Sequence, residues 1–508
     1  MHNMTVQDVR LAVGGEWIRR PDDADGNEAE DSSRALAVTF GAVCTDTRRI
    51  VPGDVFVALK GDRFDGADYL HEAQSRGARC LITHRVPVEF TPKVPTIVVR
   101  DSLKALGRLA RASRDLQRAC IVGITGSNGK TTTREMTSAI LKRNFTVLQN
   151  TANENNRIGV PKTLLRLSER HEFAVIEMGT SEPGEIRELA RIAGPQCGVL
   201  TSISESHLSG LGSLEGVIKE KSELLAAIPR DGIAIVNFDD PRCVKAAERA
   251  NCRVVSYGTD MRCELRAEDI RTNRYGTHFM LNGRHDFRLP LHGEHNVMNA
   301  LAAIAVGWVS GVNIGDMQLA LRRIEPVGRR LEYHEYAGIG LLDDSYNANP
   351  ASTCAALKTL GSFPCDGQRI AVLGDMLELG DESERLHREV GWLGTTQPVD
   401  LVIAVGKEMR ALADVFDEHF FETGRGCVWR FDTSEEAAKH LLAESRAGDL
   451  LLVKGSNGMK MNRIVEAFRK RYEEAEDGKL RPTTRERPIG DPLPELIRSA
   501  RNSRTAAA

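Results

Sequence analysis

Apolar and polar positions along the 508 residues change rhythm as the chain proceeds. Up to about Arg114, short apolar runs (Val55-Phe56-Val57-Ala58-Leu59, Cys80-Leu81-Ile82, Thr96-Ile97-Val98-Val99) alternate with stretches of helical periodicity. Runs this short read as strands, and apolar residues recurring every three to four positions read as helices. Between about 115 and 328 the strands fall at Ala119–Val122, Phe173–Ile176, Val199–Ile203 and Ile233–Val236. From Arg329 onward, strands at Gly340–Leu342, Ile370–Leu373, Leu401–Val405 and Leu450–Val453 alternate with helices around Ser352–Leu360, Glu384–Val390, Glu435–Leu442 and Met459–Arg471. Nearly continuous apolar strands in a βαβα order belong to parallel sheets covered on both faces. The pattern predicts an α/β protein of three domains, 1–114, 115–328 and 329–473, the last a Rossmann-like doubly wound sheet. At roughly 150 residues per domain the length agrees.

The longest apolar stretch, Val297 to Val312, is interrupted by Asn299, Gly307 and Ser310, and predicts a buried helix rather than a membrane span. Two segments fall outside the alternation. Arg20 to Ser33 is polar and acidic and reads as a flexible insertion or loop, and the Pro/Arg-rich stretch 474–508 as a disordered tail, with a basic anchor as the other reading.

Composition narrows the class. A hydrophobic content of 41 %, a charged content of 27 % and a net charge of −3 describe a soluble globular chain without the basic footprint of a nucleic-acid binder. The opening MHNMTVQDVR has no apolar targeting core. Ten cysteines, none in a Cys-x-x-Cys pair or a Cys/His cluster at zinc spacing, read as reduced thiols of a cytosolic protein. A monomer is expected.

Candidate chemistry begins at Gly123 to Thr133, GITGSNGKTTT, directly after an apolar strand. A glycine loop between a strand and a helix start aims backbone N–H groups at one point, which suits nucleotide phosphates. Gly126, Ser127, Asn128 and Gly129 form the loop; Lys130 reaches the phosphates, the Thr131 hydroxyl is placed for Mg²⁺, and Thr132 follows in the helix. The spacing is not a strict Gly-x4-Gly-Lys-Thr, because Ile124 stands where the first glycine belongs. Glu177 ends the strand beginning at Phe173, and His207 follows the strand ending at Ile203, both in the loop's own sheet. A carboxylate at a neighbouring strand tip is a hard ligand for a nucleotide-bound metal; taken singly, Glu177 reads as a solvated acid and His207 as a capping or core histidine. Lys219 and Lys221 read as solvated helix lysines. Asn296 and Asn299, three apart, share a helix face and offer the donor and acceptor an adenine edge needs, or else are an N-cap and a buried polar residue. Arg329 and Arg330 at the domain junction are either a phosphate clamp or surface charge. Asp344, Asp375 and Lys454 follow strands of the third domain, where such sheets bind ligands.

Taken in order, GITGSNGKTTT, IEMG, SHLSGLGS, GEHNVMN, GRR and DDSYNANP resemble the Mur ligase superfamily of ATP-dependent amino-acid and peptide ligases. TANENNRIGVPKTLL (Thr151 to Leu165), DDSYNANPAS, VLGDMLELG and VKGSNGMKM resemble the member that joins a dipeptide, D-alanyl-D-alanine, to a UDP-linked muramoyl tripeptide. The resemblance runs from about Cys44 to Lys470. It implies a uridine-nucleotide-binding first domain with Thr47, Arg48 and Gly66 at typical positions, joined by Thr151, Asn153, Asn155 and Asn156 toward the UDP substrate. It implies ATP and two Mg²⁺ ions as cofactors, with Thr131, Glu177 and His207 as metal ligands. Lys221, fourteen residues after His207, would be carbamylated and bridge the metal. Asn296 and Asn299 would face adenine, Arg329 the γ-phosphate (with Arg330 one register away), and Asp344 the nucleotide. Asn347, Asn349, Asp375 and Met376 would meet the dipeptide. Two departures stand out: Ala152 and Glu154 in a segment that is usually Gly-Asn-x-Asn-Asn, and Ser204-Glu205-Ser206 before His207 in place of Pro-Ala. Other ligases of the superfamily, adding one amino acid or a folate glutamate, and a non-catalytic nucleotide binder are the competing readings.

Overall fold

The computed structural model describes residues 4–19, 39–151, 153–273 and 275–476. The Arg20–Ser33 segment, Ala152 and the tail beyond Glu476 lie outside the described residues. Three sheets organise the chain. The first contains β1 (Glu16–Arg19), β2 (Val43–Cys44), β3 (Val55–Val57), β4 (Cys80–Thr83) and β5 (Thr96–Val98), ordered β1-β5-β4-β3-β2, with only β1 antiparallel.

The middle sheet has nine strands. They are β6 (Cys120–Thr125), β7 (Val147–Gln149), β8 (Phe173–Glu177), β9 (Cys197–Leu200), β10 (Ile233–Asn237), β11 (Arg253–Gly258), β12 (Leu265–Asn273), β13 (Gly276–Leu281) and β14 (His285–Leu289). Their order is β14-β13-β12-β11-β10-β9-β6-β8-β7, parallel from β7 to β12 and antiparallel beyond. The sequence reading missed β7 and β11 to β14. In β12 the side chains beyond Ala267 alternate between half-buried and exposed, and include Arg271, Thr272 and Asn273, so no apolar run betrays it.

The third sheet holds β15 (Glu332–Tyr336), β16 (Ile339–Asp344), β17 (Arg369–Gly374), β18 (Leu401–Val405), β19 (Cys427–Phe431) and β20 (Leu450–Lys454), ordered β15-β16-β20-β17-β18-β19. All pairs are parallel except β15 with β16, which makes it the expected doubly wound sheet with one antiparallel edge. Its four central strands are almost wholly buried, as covered parallel strands must be. The final helix, Asn462–Glu476, continues through the first residues assigned to the tail.

The apolar stretch from Val297 forms the helix Glu294–Val309, in which every residue from Asn299 to Gly307 is buried. It packs on the helix Lys130–Leu141, so the phosphate loop is backed by rigid core. All ten cysteines are free thiols. None of the helices among the described residues is long and apolar enough to cross a membrane.

Leu301 is fully buried in that helix, whereas Leu393 is 55 % exposed. Leu301→Ala should cost about 2–5 kcal/mol of stability and Leu393→Ala less than about 0.5 kcal/mol, measured as the urea dependence of far-UV circular dichroism.

Candidate active site

β6 ends at Thr125, and after four intervening residues the helix Lys130–Leu141 begins. The loop between is pressed against its neighbours so closely that glycine is needed twice. A Cβ on Gly126 would stand 2.0 Å from Thr201 Oγ1, and one on Gly129, where φ is +81°, 2.1 Å from Asn299 Oδ1. The Ser127 N–H donates to the Ser202 carbonyl (2.7 Å) and its hydroxyl to the Ser204 carbonyl (3.0 Å). The Thr201 hydroxyl donates to the Asn128 carbonyl (2.5 Å). Lys130 Nζ donates to the carbonyls of Gly126 (2.8 Å) and Ser127 (3.2 Å), which holds the ammonium over the loop. A rigid loop at a helix N-terminus with a lysine above it is an anion cradle.

This cradle opens into a cavity of about 540 Å³ between the middle and third domains, lined by Ser127 to Thr132, Asn155, Glu177, His207, Asn296, Asn299, Arg330, Asp344, Asn347, Asn349 and Lys454, among others. Glu177 is only 2 % exposed. Arg134 Nη1 reaches one of its oxygens (3.1 Å), Asn155 Nδ2 donates to the other (2.8 Å), and Asn150 Oδ1 accepts its N–H (2.7 Å). The carboxylate is thus fixed in direction and keeps unused lone pairs.

His207 and Lys221 come from the segment after β9. His207 takes a left-handed backbone (φ 54°), and its Nδ1 lies 2.5 Å from Glu378 Oε2 of the third domain. Burial, then the nearby Lys130 charge, lowers the imidazole's pKa. On the helix Leu214–Ala226, Lys219 is exposed and Lys221 is 1 % exposed, so the helix lysine reading holds for the first alone. Desolvation, reinforced by Lys130, puts the Lys221 pKa well below that of a free lysine. Burial likewise lowers that of Lys130.

Asn296 and Asn299 face one another in a relay: Asn296 Nδ2 donates to the His292 carbonyl (2.8 Å), Asn299 Nδ2 to Asn296 Oδ1 (3.1 Å), and the Thr133 hydroxyl to Asn299 Oδ1 (3.3 Å). Asn296 is not an N-cap, because Gly293 occupies that position. His295, which the sequence reading passed over, also lines the cavity; burial lowers its pKa to about 4 and keeps the ring neutral.

The doubled arginine resolves in favour of Arg330. Its Nη2 donates to Thr131 Oγ1 (3.1 Å), and its guanidinium lies 3.9 Å over the Tyr346 ring. Arg329, the residue favoured from sequence, does not line the cavity. It adopts φ 61°, its N–H donates to Glu332 Oε2 (3.3 Å), and this turn delivers the next side chain inward instead.

In the third domain Asp344 pairs with Lys454 Nζ (2.7 Å), which also donates to the Asn347 carbonyl (2.8 Å). Asn349 caps the helix Pro350–Ser362, accepting the Ser352 N–H (2.9 Å), with proline in the first turn where its missing N–H costs nothing. Its amide also exchanges hydrogen bonds with that of Asn128 (2.8 and 3.2 Å), joining the third domain to the phosphate loop. Asp375 and Met376 lie beneath the cavity, not in it. Asp375 accepts the Met409 N–H (2.7 Å), and Met376 is buried with its N–H given to His387 Nε2 (3.1 Å). The residues that follow them, Leu377, Glu378 and Leu379, line the cavity instead.

Of the residues assigned to the UDP substrate, Asn155 reaches the main cavity, and Thr151 lines a second cavity of about 1070 Å³ with Gly41 and Ala42 of the first domain. Asn156 Oδ1 accepts the Gly159 N–H (2.9 Å) just before the helix Gly159–Leu164, and the Asn153 carbonyl accepts the Asn155 N–H (2.7 Å). Thr47, Arg48 and Gly66 line neither cavity, and Arg48 is paired with Asp46 (2.8 Å).

Three family patterns match the chain: the Mur ligase family catalytic domain over residues 39–114, the Mur ligase middle domain over 124–307, and the Mur ligase glutamate ligase domain over 329–457. The chain belongs to the Mur ligase family, a family of ATP-dependent amide ligases. Within it, the chain is 38 % identical over 439 residues to the UDP-N-acetylmuramoyl-tripeptide–D-alanyl-D-alanine ligase of Escherichia coli strain K12, covering 85 % of this chain and 94 % of that one. It is 37 % identical to the protein of that name from Bacillus subtilis strain 168, covering 84 % and 92 %. The crystal structure of MurF from Acinetobacter baumannii superposes with a TM-score of 0.81 at 30 % identity, covering 92 % of this chain and 99 % of that one. MurF from Thermotoga maritima, in complex with ADP, gives 0.76 at 29 %, covering 85 % and 98 %.

Because Arg330 and not Arg329 faces the cradle, Arg330→Ala should weaken ATP binding by roughly 10- to 100-fold, the worth of about 1.5–3 kcal/mol for a hydrogen bond to a charged group. Arg329→Ala should change it less than about 3-fold. Isothermal titration of each variant with ATP checks both.

Proposed function

We propose that this protein joins D-alanyl-D-alanine to a UDP-N-acetylmuramoyl tripeptide at the expense of ATP, through an acyl phosphate, and works in the cytoplasm. The observation that carries the reading is the convergence on one cavity of Lys130, Thr131, Glu177, Asn296 and Asn299 from the middle domain with Arg330 and Asp344 from the third. Asn155, Asn347 and Asn349, which line that cavity, and Thr151, which lines the second, support the reading.

In this reading the nucleotide's phosphates lie against the Gly126–Gly129 loop and the N-terminus of the helix that follows, Lys130 and Arg330 contact the γ-phosphate, and the asparagine pair meets the adenine edge. The tripeptide's terminal carboxylate attacks the γ-phosphorus, and ADP leaves. Lys130 and Arg330 act by holding charge that grows on the equatorial oxygens. The dipeptide amine then attacks the acyl carbon, the tetrahedral adduct expels phosphate, and the amine's proton is lost. The third domain, held to the loop by Asn349 and Arg330, keeps water from the acyl phosphate.

The residues present suit two Mg²⁺ ions. The Thr131 hydroxyl, the oriented Glu177 carboxylate and the His207 imidazole are oxygen and nitrogen donors lining one cavity, and Lys221 is buried near His207 with its pKa depressed. A neutral amine at that position can take up CO₂, releasing a proton and becoming a carbamate that serves as an anionic ligand. When bound, the metal supplies neutralisation of the phosphate oxygens. Among the described residues, the one trio of acidic and imidazole groups at mutual ligand spacing is Glu332, His334 and Asp343, none of which lines the cavity.

ADP release with UDP-muramoyl tripeptides ending in lysine or in diaminopimelate should require D-alanyl-D-alanine; ADP formation indifferent to the dipeptide would overturn the assignment. Lys130→Ala should abolish turnover with an unchanged circular dichroism spectrum. Lys221→Ala should be nearly inactive and partly restored by short carboxylates such as acetate, and full activity without them would remove the carbamate from the mechanism.

A further inference from the structure

Glu378 is used by nothing described so far, yet it touches the middle domain twice. Its carboxylate meets His207 Nδ1 at 2.5 Å, and its carbonyl accepts the Ser209 N–H at 3.2 Å, so side chain and backbone both grip the turn that carries His207. Both residues hold left-handed backbone conformations, φ 54° for His207 and φ 65° for Glu378, unusual for residues other than glycine, asparagine or aspartate. Strain of this kind persists where surrounding contacts over-determine it. Those contacts are visible on the third-domain side. The Leu377 N–H donates to Ser456 Oγ (2.8 Å) and the Met376 N–H to His387 Nε2 (3.1 Å), while the His387 Nδ1 side is engaged by the Ser383 carbonyl (2.7 Å). A buried histidine therefore anchors the loop that presents Glu378.

The charges around His207 make the contact selective. Lys130 and Lys221 are its charged or basic neighbours within the middle domain, while the hydrogen bond at Nδ1 is to the Glu378 carboxylate. A carboxylate accepts only, so in the His207–Glu378 contact Nδ1 carries the hydrogen and Nε2 keeps its lone pair. Metal-binding histidines are held in this manner, with the second ring nitrogen donating to a carboxylate that fixes tautomer and ring direction. Here the carboxylate comes from another domain.

We propose that Glu378 is a positioning residue for the ligation reaction: delivered by the third domain, it locks His207 in the Nδ1–H tautomer with Nε2 free as a ligand for a divalent cation, and so ties metal affinity to docking of that domain on the phosphate loop. This rests on the reading of His207 as a metal ligand and adds to it the source of its orientation. The Glu378 side chain is 58 % exposed, so replacing it leaves the core intact.

The test uses the full-length protein and Mn²⁺ as the cation, followed by electron paramagnetic resonance in the presence of ADP, alongside steady-state ligation. Glu378→Ala should weaken Mn²⁺ binding and lower kcat by roughly 10- to 100-fold, with the KM for the UDP-tripeptide and the thermal midpoint unchanged. Glu378→Gln, which retains an acceptor oxygen at the same reach, should recover part of both losses. Unchanged Mn²⁺ affinity in Glu378→Ala overturns the proposal, as does a Gln variant no better than Ala, or a loss shared equally by the KM for the UDP-tripeptide and the thermal midpoint. A wild-type protein that takes up no Mn²⁺ with ADP present is a different failure, and strikes the metal reading of His207 itself.

Discussion

Buried positive charge governs the centre of this molecule. Lys130, Arg134 and Arg330 gather near one glycine loop, and Glu177 is a buried carboxylate in their midst. Removing each such group from water costs several kcal/mol unless a partner offsets it. Arg134 bonds Glu177 directly, whereas Lys130 bonds loop carbonyls and Arg330 a hydroxyl and an aromatic face, with Glu177 and Asp344 acting on them through space. Cations without a bonded carboxylate favour a polyanion from outside, and a triphosphate has the charge and the oxygen count to meet the helix N-terminus, Lys130 and Arg330 together.

That need for an external anion also explains where the domains meet. The third domain does not cover the cradle with a featureless wall. It brings Arg330, Asp344 and Asn349 to the same opening, each held by partners within reach of the cavity. The two asparagine amides joined across the crevice are suited to this task, since each both donates and accepts and neither adds charge to a site already unbalanced. The amide relay of Asn296 and Asn299 serves the opposite wall, where Gly129 leaves room for Asn299 to touch the loop.

Much of this was legible in the sequence, for physical reasons that differ by residue. The phosphate loop and the buried parallel strands announce themselves because their constraints are local: glycines at fixed offsets and unbroken apolar runs. β12 to β15 did not, because strands with one wet face carry Arg, Thr, His and Glu in positions that periodicity cannot tell from loop. Arg330 could be separated from Arg329 only by the left-handed turn at Arg329, a conformation that no residue type at that position foretells. Asp375 and Met376 sit just after a strand, where ligands usually bind, but the loop continues two residues before it emerges, and Leu377 and Glu378 take the exposed places. Lys221 looked like any helix lysine by spacing; only the resemblance to the family separated it from Lys219, and burial gives the reason.

The asparagine pair across the crevice has a chemical lifetime as well as a geometry. Asparagine ages when the next residue's backbone nitrogen closes on the side-chain amide to form a succinimide. Asn349 precedes Pro350, whose ring nitrogen has no hydrogen to lose. Asn128 precedes Gly129, the neighbour least able to obstruct such a closure. The hydrogen bonds that pin the Asn128 carbonyl and amide between Thr201 and Asn349 therefore also hold off the slow conversion that would place a new negative charge at the lip of the nucleotide cradle.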